Sequence, residues 1–468
     1  MLISGLEVNG NHSLRGQFSV NEKKRLSGMT GFTMVWVGQF ISVLASNMTN
    51  FALTIWMYQQ TRSATAMGLL QVCFILPLLL LSPIAGAMVD RYNRKLMMMI
   101  SDFGAVLATI GILILQASGN LEFWHLYIAA VINGLGNTFQ WPAYSAAIST
   151  MVNKDQYSRA NGMMSLIGSG PAIFSPLLAG ALLPVIGLTG ILTIDVVTFF
   201  IAIIALLLVF VPQPEKTIEG QQDSGNLWKE SIYGFRYIFK RPSLLGLQLV
   251  FFFGNLFMGI ILAVFAPMLL SRTNDNSVIF GSVQSIGAIG GVAGGILMST
   301  WKGFKNRVHG VLLGWIFSGV AFALLGLGRN LWIWGVAMVI EAIMDSLLSA
   351  SNQAFWQSKV APDGQGRVFA ARRLIAQFTK PIAPIIGGTL ADFVLEPAMS
   401  DPSSKLAILF GPIVGIGPGA GMGLLFVVCG TAIVLVGIVS YCVKPIYRAE
   451  LILPDHDQLD KTAESSAS

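Results

Sequence analysis

Charged side chains are scarce in this chain. Only 11% of its 468 residues are Asp, Glu, Lys or Arg, whereas 54% are apolar. A soluble domain has about 25% charged residues, so this composition excludes an ordinary soluble globular protein and predicts one that crosses a membrane several times. The net charge of +6 does not indicate a nucleic-acid partner, because the cations are segregated by membrane side, as orientation requires.

Cysteines and nucleotide-binding motifs are also sparse. The three cysteines, Cys73, Cys429 and Cys442, lie in apolar runs, and an odd set of this kind predicts neither a disulfide framework nor a metal site. The pattern Gly-x-x-x-x-Gly-Lys-Ser/Thr does not occur in the sequence, and the glycines at 411–423 lack the strand and helix of a nucleotide-binding unit. We therefore expect no metal, no cofactor and no ATP site, and a function other than catalysis.

Long apolar runs dominate what remains. A hydrocarbon core of about 30 Å takes about 20 helical residues, and twelve runs of that size follow one another along the chain. The sequence therefore predicts an all-α membrane protein with twelve transmembrane helices. The predicted spans are 31–58, 65–88, 96–117, 123–148, 162–184, 188–211, 244–270, 278–301, 310–327, 331–356, 368–395 and 422–443.

The basic residues predict the orientation of these spans. Of the 29 Lys and Arg residues, 24 lie on the side of the N-terminus, four lie on the other side, and Lys380 lies within a span. The excess of basic residues on the cytoplasmic side of membrane proteins then places both termini in the cytoplasm. The expected location is the cytoplasmic (inner) membrane of a bacterium.

A polar segment divides the spans six and six. We expect a cytoplasmic segment at 1–30, a first bundle at 31–211, a linker at 212–242, a second bundle at 243–443 and a cytoplasmic tail at 444–468. Apolar residues at spacings of three and four between 227 and 240 predict an amphipathic helix on the inner leaflet, or alternatively a solvated linker helix. Matches 208 residues apart, such as Asn47 with Asn255, indicate that the bundles are pseudo-symmetric repeats.

The charged loop at 86–95 connects spans two and three. It reads Gly-Ala-Met-Val-Asp-Arg-Tyr-Asn-Arg-Lys and resembles the signature loop of the major facilitator superfamily. Asp-Val-Val-Thr-Phe at 195–199, Gly-Phe-Arg-Tyr at 234–237 and the glycine-rich stretch 415–423 resemble the macrolide-efflux and siderophore-exporter branch. The segment 175–180 departs from the Gly-Pro-x-x-Gly-Gly of drug–proton antiporters, although its small residues keep the close approach of helices. The resemblance implies two six-helix bundles that rock about a central site.

The acid of the charged loop is the predicted gate. The resemblance implies that Asp90 stabilises the outward-open state by contacting the N-terminus of span eleven, whose backbone amides carry a partial positive charge. The second-half copy of the loop at 299–307 lacks the acid, so we expect a gate on one half only. A surface turn that only sets orientation is the alternative. The gating residues are Gly86, Asp90, Arg91, Arg94, Arg372 and Arg373.

Two acids lie near the middle of span ten. Glu341 and Asp345 are four residues apart and share one helix face, and two carboxylates this close in a poorly solvated site cannot both be readily ionised. This favours proton coupling, with Lys380 as the counter-ion. A structural pair that joins two helices is the alternative. For the other intramembrane acids, Asp102 and Asp195, we expect structural roles.

Amide side chains mark the predicted substrate cavity. In the family, spans one, four, seven and ten line the central cavity, so their polar side chains are candidates for substrate contact. With the aromatic residues of these spans, they predict a pocket with few directional groups, suited to a bulky amphipathic ligand. The candidates are Gln39, Asn47, Asn50, Asn133, Asn137, Gln140, Gln248 and Asn255.

The sequence thus predicts a secondary active transporter that exports an amphipathic compound by alternating access, with proton antiport. The compound would be a macrolide-like drug or a secreted metabolite. The expected partners are this small amphipathic substrate, protons and the lipid bilayer, with no nucleic acid. Two alternatives stay open: a uniporter or importer of a nutrient or lipid, and a membrane partner or sensor that does not transport.

Overall fold

The computed structural model describes residues 28–91, 94–152, 156–209, 227–301 and 303–455, and these form helices in the predicted order. The first half contains α1 (Gly28–Thr61), α2 (Ala64–Arg91), α3 (Arg94–Ala117), α4 (Phe123–Met151) and α5 (Tyr157–Leu208). The second half contains α6 (Leu227–Phe239), α7 (Pro242–Arg272), α8 (Ser277–Thr300), α9 (Arg307–Leu327), α10 (Leu331–Lys359), α11 (Pro362–Gln377), α12 (Ala383–Leu390), a π-helical segment (Ala391–Leu395), α13 (Glu396–Ser400), α14 (Lys405–Val414), α15 (Ala420–Cys442), α16 (Lys444–Tyr447) and α17 (Ala449–Ile452).

Nine helices in this part of the chain are long and apolar enough to cross a membrane. One of them, α5, has 52 residues, which corresponds to about 78 Å at about 1.5 Å per residue. A single membrane crossing cannot use that length. Gly187 has a φ of 65° and a ψ of −179°, so the chain turns there and α5 provides spans five and six. The predicted boundary between those spans, at 184–188, is confirmed.

Span eleven is not the continuous helix that the sequence predicted. The α-helix stops at Gln377 and resumes at Ala383, followed by a π-helical segment. Pro381 and Pro384 explain this break, because proline has no N–H to donate and its ring collides with the carbonyl group four residues earlier. Lys380, expected inside a helix, therefore lies in a turn between two helical segments.

The helices run between two opposite faces of the protein, and we name each face by the chain segments that lie there. The terminal side holds the start of α1 and the end of α15, and the charge count predicts that it is cytoplasmic. The far side holds the α1–α2 and α7–α8 connections. On the far side, the halves approach so closely that a Cβ on Gly180 would lie 2.7 Å from the carbonyl oxygen of Ser277. The predicted close helix approach at 175–180 is confirmed.

The far-side segment between span eleven and α15 folds back over the second half. Arg272, at the end of α7, donates hydrogen bonds to the carbonyl oxygens of Gly326 at 2.8 Å and Gly328 at 2.7 Å, and also to those of Val414 and Gly419. In the glycine-rich stretch 415–423, Gly415, Gly417 and Gly419 have φ values of 93°, 104° and 78°. Side chains rarely adopt this backbone region, which accounts for the glycines.

The linker contains the predicted helix, observed as α6. Ile238 is fully buried, and Gly234 packs against the backbone of Arg367 at the start of span eleven. Phe239 and Tyr233 are exposed, and the position of α6 on the inner leaflet stays a prediction. The first part of the linker, 210–226, lies outside the described residues.

Candidate functional site

The first half contains a cavity of about 230 Å³ between α1, α3, α4 and α5. It gathers all six of the amide residues that were predicted in this half: Gln39, Asn47, Asn50, Asn133, Asn137 and Gln140. The cavity also contains two acids, Asp102 and Asp195, for which structural roles were expected. Its described lining contains no Lys, Arg or His.

Asp102 lies at the centre of an amide network. Its side chain is only 5% exposed, and one carboxylate oxygen accepts a hydrogen bond from the Nε2 of Gln39 at 3.0 Å. The other oxygen accepts a short hydrogen bond from the Nε2 of Gln140, which also lies 3.3 Å from the Oε1 of Gln39. Both carboxylate oxygens of Asp102 therefore have an amide donor.

Asp195 has hydroxyl partners instead. Its carboxylate accepts a hydrogen bond from the Oγ of Ser46 at 2.8 Å and a longer one from the Oγ1 of Thr109 at 3.5 Å. Sequence reasoning recognised both acids as intramembrane but could not place them in the cavity. The face on which a residue of a uniformly apolar helix lies depends on the packing of its neighbours.

The second half contains a cavity of about 350 Å³ between α7, α10 and α11. The predicted residues Gln248 and Asn255 line it, together with Asp345 of the predicted proton site. Arg372 and Arg373, predicted as gating residues, also line it. Four further polar residues were missed by sequence reasoning: Ser349, Asn352, Gln353 and Gln377.

Arg372 is held from several directions. Its guanidinium carbon lies 5.4 Å from the ring centroid of Trp356 and 5.5 Å from that of Phe369. Its backbone carbonyl oxygen accepts a hydrogen bond from the Nε2 of Gln248 at 3.2 Å. Its Nη2 lies 3.4 Å from the Oε1 of Gln353, which is a long hydrogen bond.

The predicted proton site is only partly assembled. Asp345 is exposed to the cavity, and Glu341, one turn away on α10, is half-buried. Lys380 is exposed, and no ion pair within 4.0 Å joins it to either acid in the described part of the chain. The role of Lys380 as the counter-ion of these acids therefore stays a prediction.

On the far side, hydrogen bonds join the two halves. Asp392, in the π-helical segment, accepts hydrogen bonds from the Oγ of Ser63 at 2.6 Å and from the backbone N–H groups of Ala64 and Thr65 at 2.9 and 2.8 Å. These two N–H groups belong to the first turn of α2, so Asp392 of one half caps a helix of the other. We call this set of contacts the far-side seal.

Further contacts reinforce the seal. Arg62 forms a bidentate ion pair with Asp275, with N–O distances of 2.8 and 2.6 Å, and this pair raises the pKa of Arg62. The Oγ of Ser285 donates a hydrogen bond of 2.7 Å to the carbonyl oxygen of Ile173. Asp345 and Arg373, which line the second-half cavity, are exposed.

Comparison with known proteins identifies the family. A family model described as Major Facilitator Superfamily matches residues 35–384. The chain belongs to this superfamily. It is therefore a multi-pass membrane transporter with a small-molecule substrate, and the predicted family and all-α fold are confirmed.

Relatives within the superfamily include two proteins with the same name. Macrolide efflux protein A of Streptococcus pyogenes is 25% identical over 366 residues, which cover 77% of this chain and 89% of that protein. Macrolide efflux protein A of Enterococcus faecalis is 26% identical over 312 residues, covering 66% and 95%. Among solved structures, an inward-facing bacterial homologue of the human lysosomal transporter Spinster has a TM-score of 0.64 at 14% identity, covering 88% of this chain and 94% of that one.

The signature loop of this major facilitator protein is described only in its backbone. Gly86, Asp90 and Arg91 belong to the end of α2, and Arg94 begins α3. Residues 92–93, the surroundings of Gly86 and the side chains of Asp90, Arg91 and Arg94 lie outside what the structure describes. The predicted gate contact between Asp90 and span eleven therefore stays a prediction.

Proposed function

We propose that this transporter exports a bulky amphipathic compound, a macrolide-like drug or a secreted metabolite, from the bacterial cytoplasm in exchange for protons. The observation that carries the proposal is the pair of half-cavities, rich in amides and carboxylates, that lie behind the far-side seal. The names of the two macrolide efflux relatives support the choice of substrate class.

Substrate enters this conformation from the terminal side, which the distribution of basic residues predicts to be cytoplasmic. Amide groups on the first half then orient the polar part of the compound, and the apolar residues between them contact its body. Rocking of the two halves breaks the far-side seal and opens the cavity to the far side. Closure of the terminal side is the step for which we propose Asp90 and the start of span eleven.

Glu341 and Asp345 are the proposed proton carriers. They lie one helical turn apart, and Asp345 contacts the cavity, so a proton can reach it whenever the cavity opens. Two neighbouring carboxylates repel each other when both are ionised, which favours a state with one bound proton. A substrate that occupies the cavity changes the number of protons that the two carboxylates hold. Inward flow of protons through this site then drives export of the substrate.

Efflux measurements in bacteria test the proposal. Cells that express the protein should show at least fourfold higher resistance to erythromycin than vector cells, and a protonophore should raise the accumulation of labelled erythromycin. The double variant Glu341→Gln, Asp345→Asn should return both quantities to the vector level. Asp401→Asn, in an exposed far-side turn, is the matched control and should behave as wild type.

Two results would reject parts of this proposal. Full resistance in the double variant would remove Glu341 and Asp345 as carriers, while leaving export intact. Energised vesicles that accumulate erythromycin in the opposite direction, or that show no movement for any compound in a sensitivity screen, would instead favour the importer or the non-transporting alternative.

A further inference from the structure

We propose that the second-half cavity contains a binding subsite for the anionic headgroup of an amphipathic substrate, built around Arg372. The inference rests on the proposed function and selects one branch of it, a secreted metabolite with an anionic group, because a macrolide such as erythromycin carries a basic amine and no anionic group. It assigns to Arg372 a role in this conformation that differs from the predicted gate contact, which belongs to the outward-open state.

The first support is the way in which the guanidinium is presented. The rings of Trp356 and Phe369 lie near it, and Trp356 is only 1% exposed. Aromatic contacts of this kind hold the plane of a guanidinium in place. The hydrogen bond from Gln248 to the backbone carbonyl of Arg372 fixes the main chain from which this side chain extends. The side chain is therefore preorganised.

The second support is an unused donor. The Nη1 of Arg372 is buried and has no hydrogen-bond partner among the described residues. Its Nη2 has only the long contact to Gln353. A buried charged donor without a partner is costly, and a carboxylate or phosphate oxygen satisfies such donors best, since the planar fork matches two oxygens of one anion.

A third support comes independently from Asn352. Its side chain lines the same cavity and is 6% exposed, and its Oδ1 has no hydrogen-bond partner in the described part of the chain. Rotation of the amide presents either the oxygen or the NH₂ group to a ligand. Asn352 therefore suits either the protonated oxygen or the ionised oxygen of a headgroup bound at Arg372.

The charge of the two cavities favours this assignment. The described lining of the second-half cavity contains Arg372, Arg373 and one acid, Asp345, and no carboxylate lies within 4.0 Å of either guanidinium among the described residues. Asp102 and Asp195 are the ionisable residues in the described lining of the first-half cavity, which contains no cation. An anionic group is therefore attracted to the second half.

The remaining lining residues indicate what is attached to the anion. Phe251, Met258, Leu348 and Phe369 contribute apolar surface to the same cavity. Its volume of about 350 Å³ accommodates a headgroup and several carbon atoms, and the rest of the molecule extends toward the first half. The ligand class is an amphiphile with a carboxylate or phosphate group joined to an apolar body.

Binding measurements on the full-length protein in lipid nanodiscs test the subsite with octyl phosphate as the probe. We expect octyl phosphate to bind and to raise the melting temperature. Arg372→Gln should weaken this binding at least tenfold, and Asn352→Ala should weaken it severalfold. Arg448→Gln is the matched control, because Arg448 also stacks on an aromatic ring, that of Tyr447, but lies outside the cavity. It should bind as wild type does.

Several outcomes would overturn the subsite. Equal losses in Arg372→Gln and Arg373→Gln would show attraction by general positive charge. Equal binding of octyltrimethylammonium, lost in the same variants, would show recognition of the chain rather than the anion. Inorganic phosphate that binds as tightly as octyl phosphate would show a free-phosphate site. If Arg372→Gln does not fold, Asn352→Ala decides, and wild-type binding there would refute the proposal.

Two features separate this test from that of the proposed function. Binding in nanodiscs needs neither export nor a proton gradient, so an Arg372-dependent signal stands even if erythromycin efflux fails. The variant Asp90→Asn, which removes the predicted gate acid, should keep octyl phosphate binding or strengthen it. A tenfold loss of binding in Asp90→Asn would instead assign Arg372 to the gate and refute the subsite.

Discussion

Removal of the Asp392 carboxylate should open the far side of the transporter. In Asp392→Ala, the Oγ of Ser63 and the N–H groups of Ala64 and Thr65 lose their acceptor. Loss of a helix cap costs about 1 kcal/mol and at most about 2, and hydrogen bonds to a charged group contribute about 1.5–3 kcal/mol each. Water replaces part of this in the open state, so we expect a net loss of about 2–3 kcal/mol, or a roughly 30- to 150-fold shift toward far-side opening.

Distances between spin labels measure this shift. Labels at Asn120→Cys, in the α3–α4 connection, and at Trp332→Cys, near the start of α10, report on the far side of each half in a background where the three native cysteines are serine. Asp392→Ala should convert a short-distance population into a longer one. Asp401→Ala is the control, because that carboxylate accepts hydrogen bonds from Ser403 within its own turn.

An unchanged distance distribution in Asp392→Ala would refute the reasoning about the seal. A change of the same size in Asp401→Ala would also refute it, since the effect would then follow from far-side charge and not from the cap. Asp275→Asn provides a second variant with which the size of the distance shift can be compared. Its partner Arg62 has 57% of its side chain exposed, and exposed ion pairs contribute about 0–1 kcal/mol, so it should shift the distances much less than Asp392→Ala.

Two further predictions concern packing and pH. Gly281→Ala should lower the melting temperature, because the new Cβ would collide with the backbone carbonyl of Pro176 in the other half. Gly291→Ala is the control and should not lower it, because no atom lies within 4 Å of a Cβ at that position. Equal melting temperatures for the two variants would contradict this prediction. Burial raises the pKa of Asp455, but the hydrogen bond and charge of Lys359 and the charge of Arg307 outweigh it and lower that pKa. Stability from this contact is therefore present above the unfolded value of about 3.9 and is lost as pH falls through the folded value. Hydrogen exchange at 449–455 should rise in that acid range, and Asp455→Asn should remove the transition.

Hydrophobic run length made most of the fold predictable. The spans of the first half were placed correctly because each is an apolar run with polar ends, and even the turn at Gly187 had a signal in the neighbouring Pro184. Span eleven was predicted wrongly as one helix, because its apolar composition outweighed Pro381 and Pro384. The two prolines were the available signal, and they were sufficient to show that Lys380 would lie in a break.

The candidate site was predictable by residue type and not by position. Amides on every third span were assigned to the cavity, and eight of eight line one of the two cavities. The acids were harder. Asp102 and Asp195 carried no sequence feature that distinguishes a cavity wall from a helix interface, because both kinds of surface are apolar in these spans. Asn352 and Gln353 were missed because they lie at the end of α10, where polar residues are common.

The sequence by itself determined that this protein crosses the membrane repeatedly, that its basic residues are segregated to one side, and that its signature loop belongs to the major facilitator superfamily. These properties follow from composition and from the order of residues along the chain, and the lipid bilayer requires them however the helices pack. Only the tertiary structure decided which acids face a cavity, that Arg372 has an unused donor, and that Asp392 caps a helix of the opposite half. Such contacts join residues up to 329 positions apart, and they depend on helix rotation and on breaks at proline, which run length does not encode.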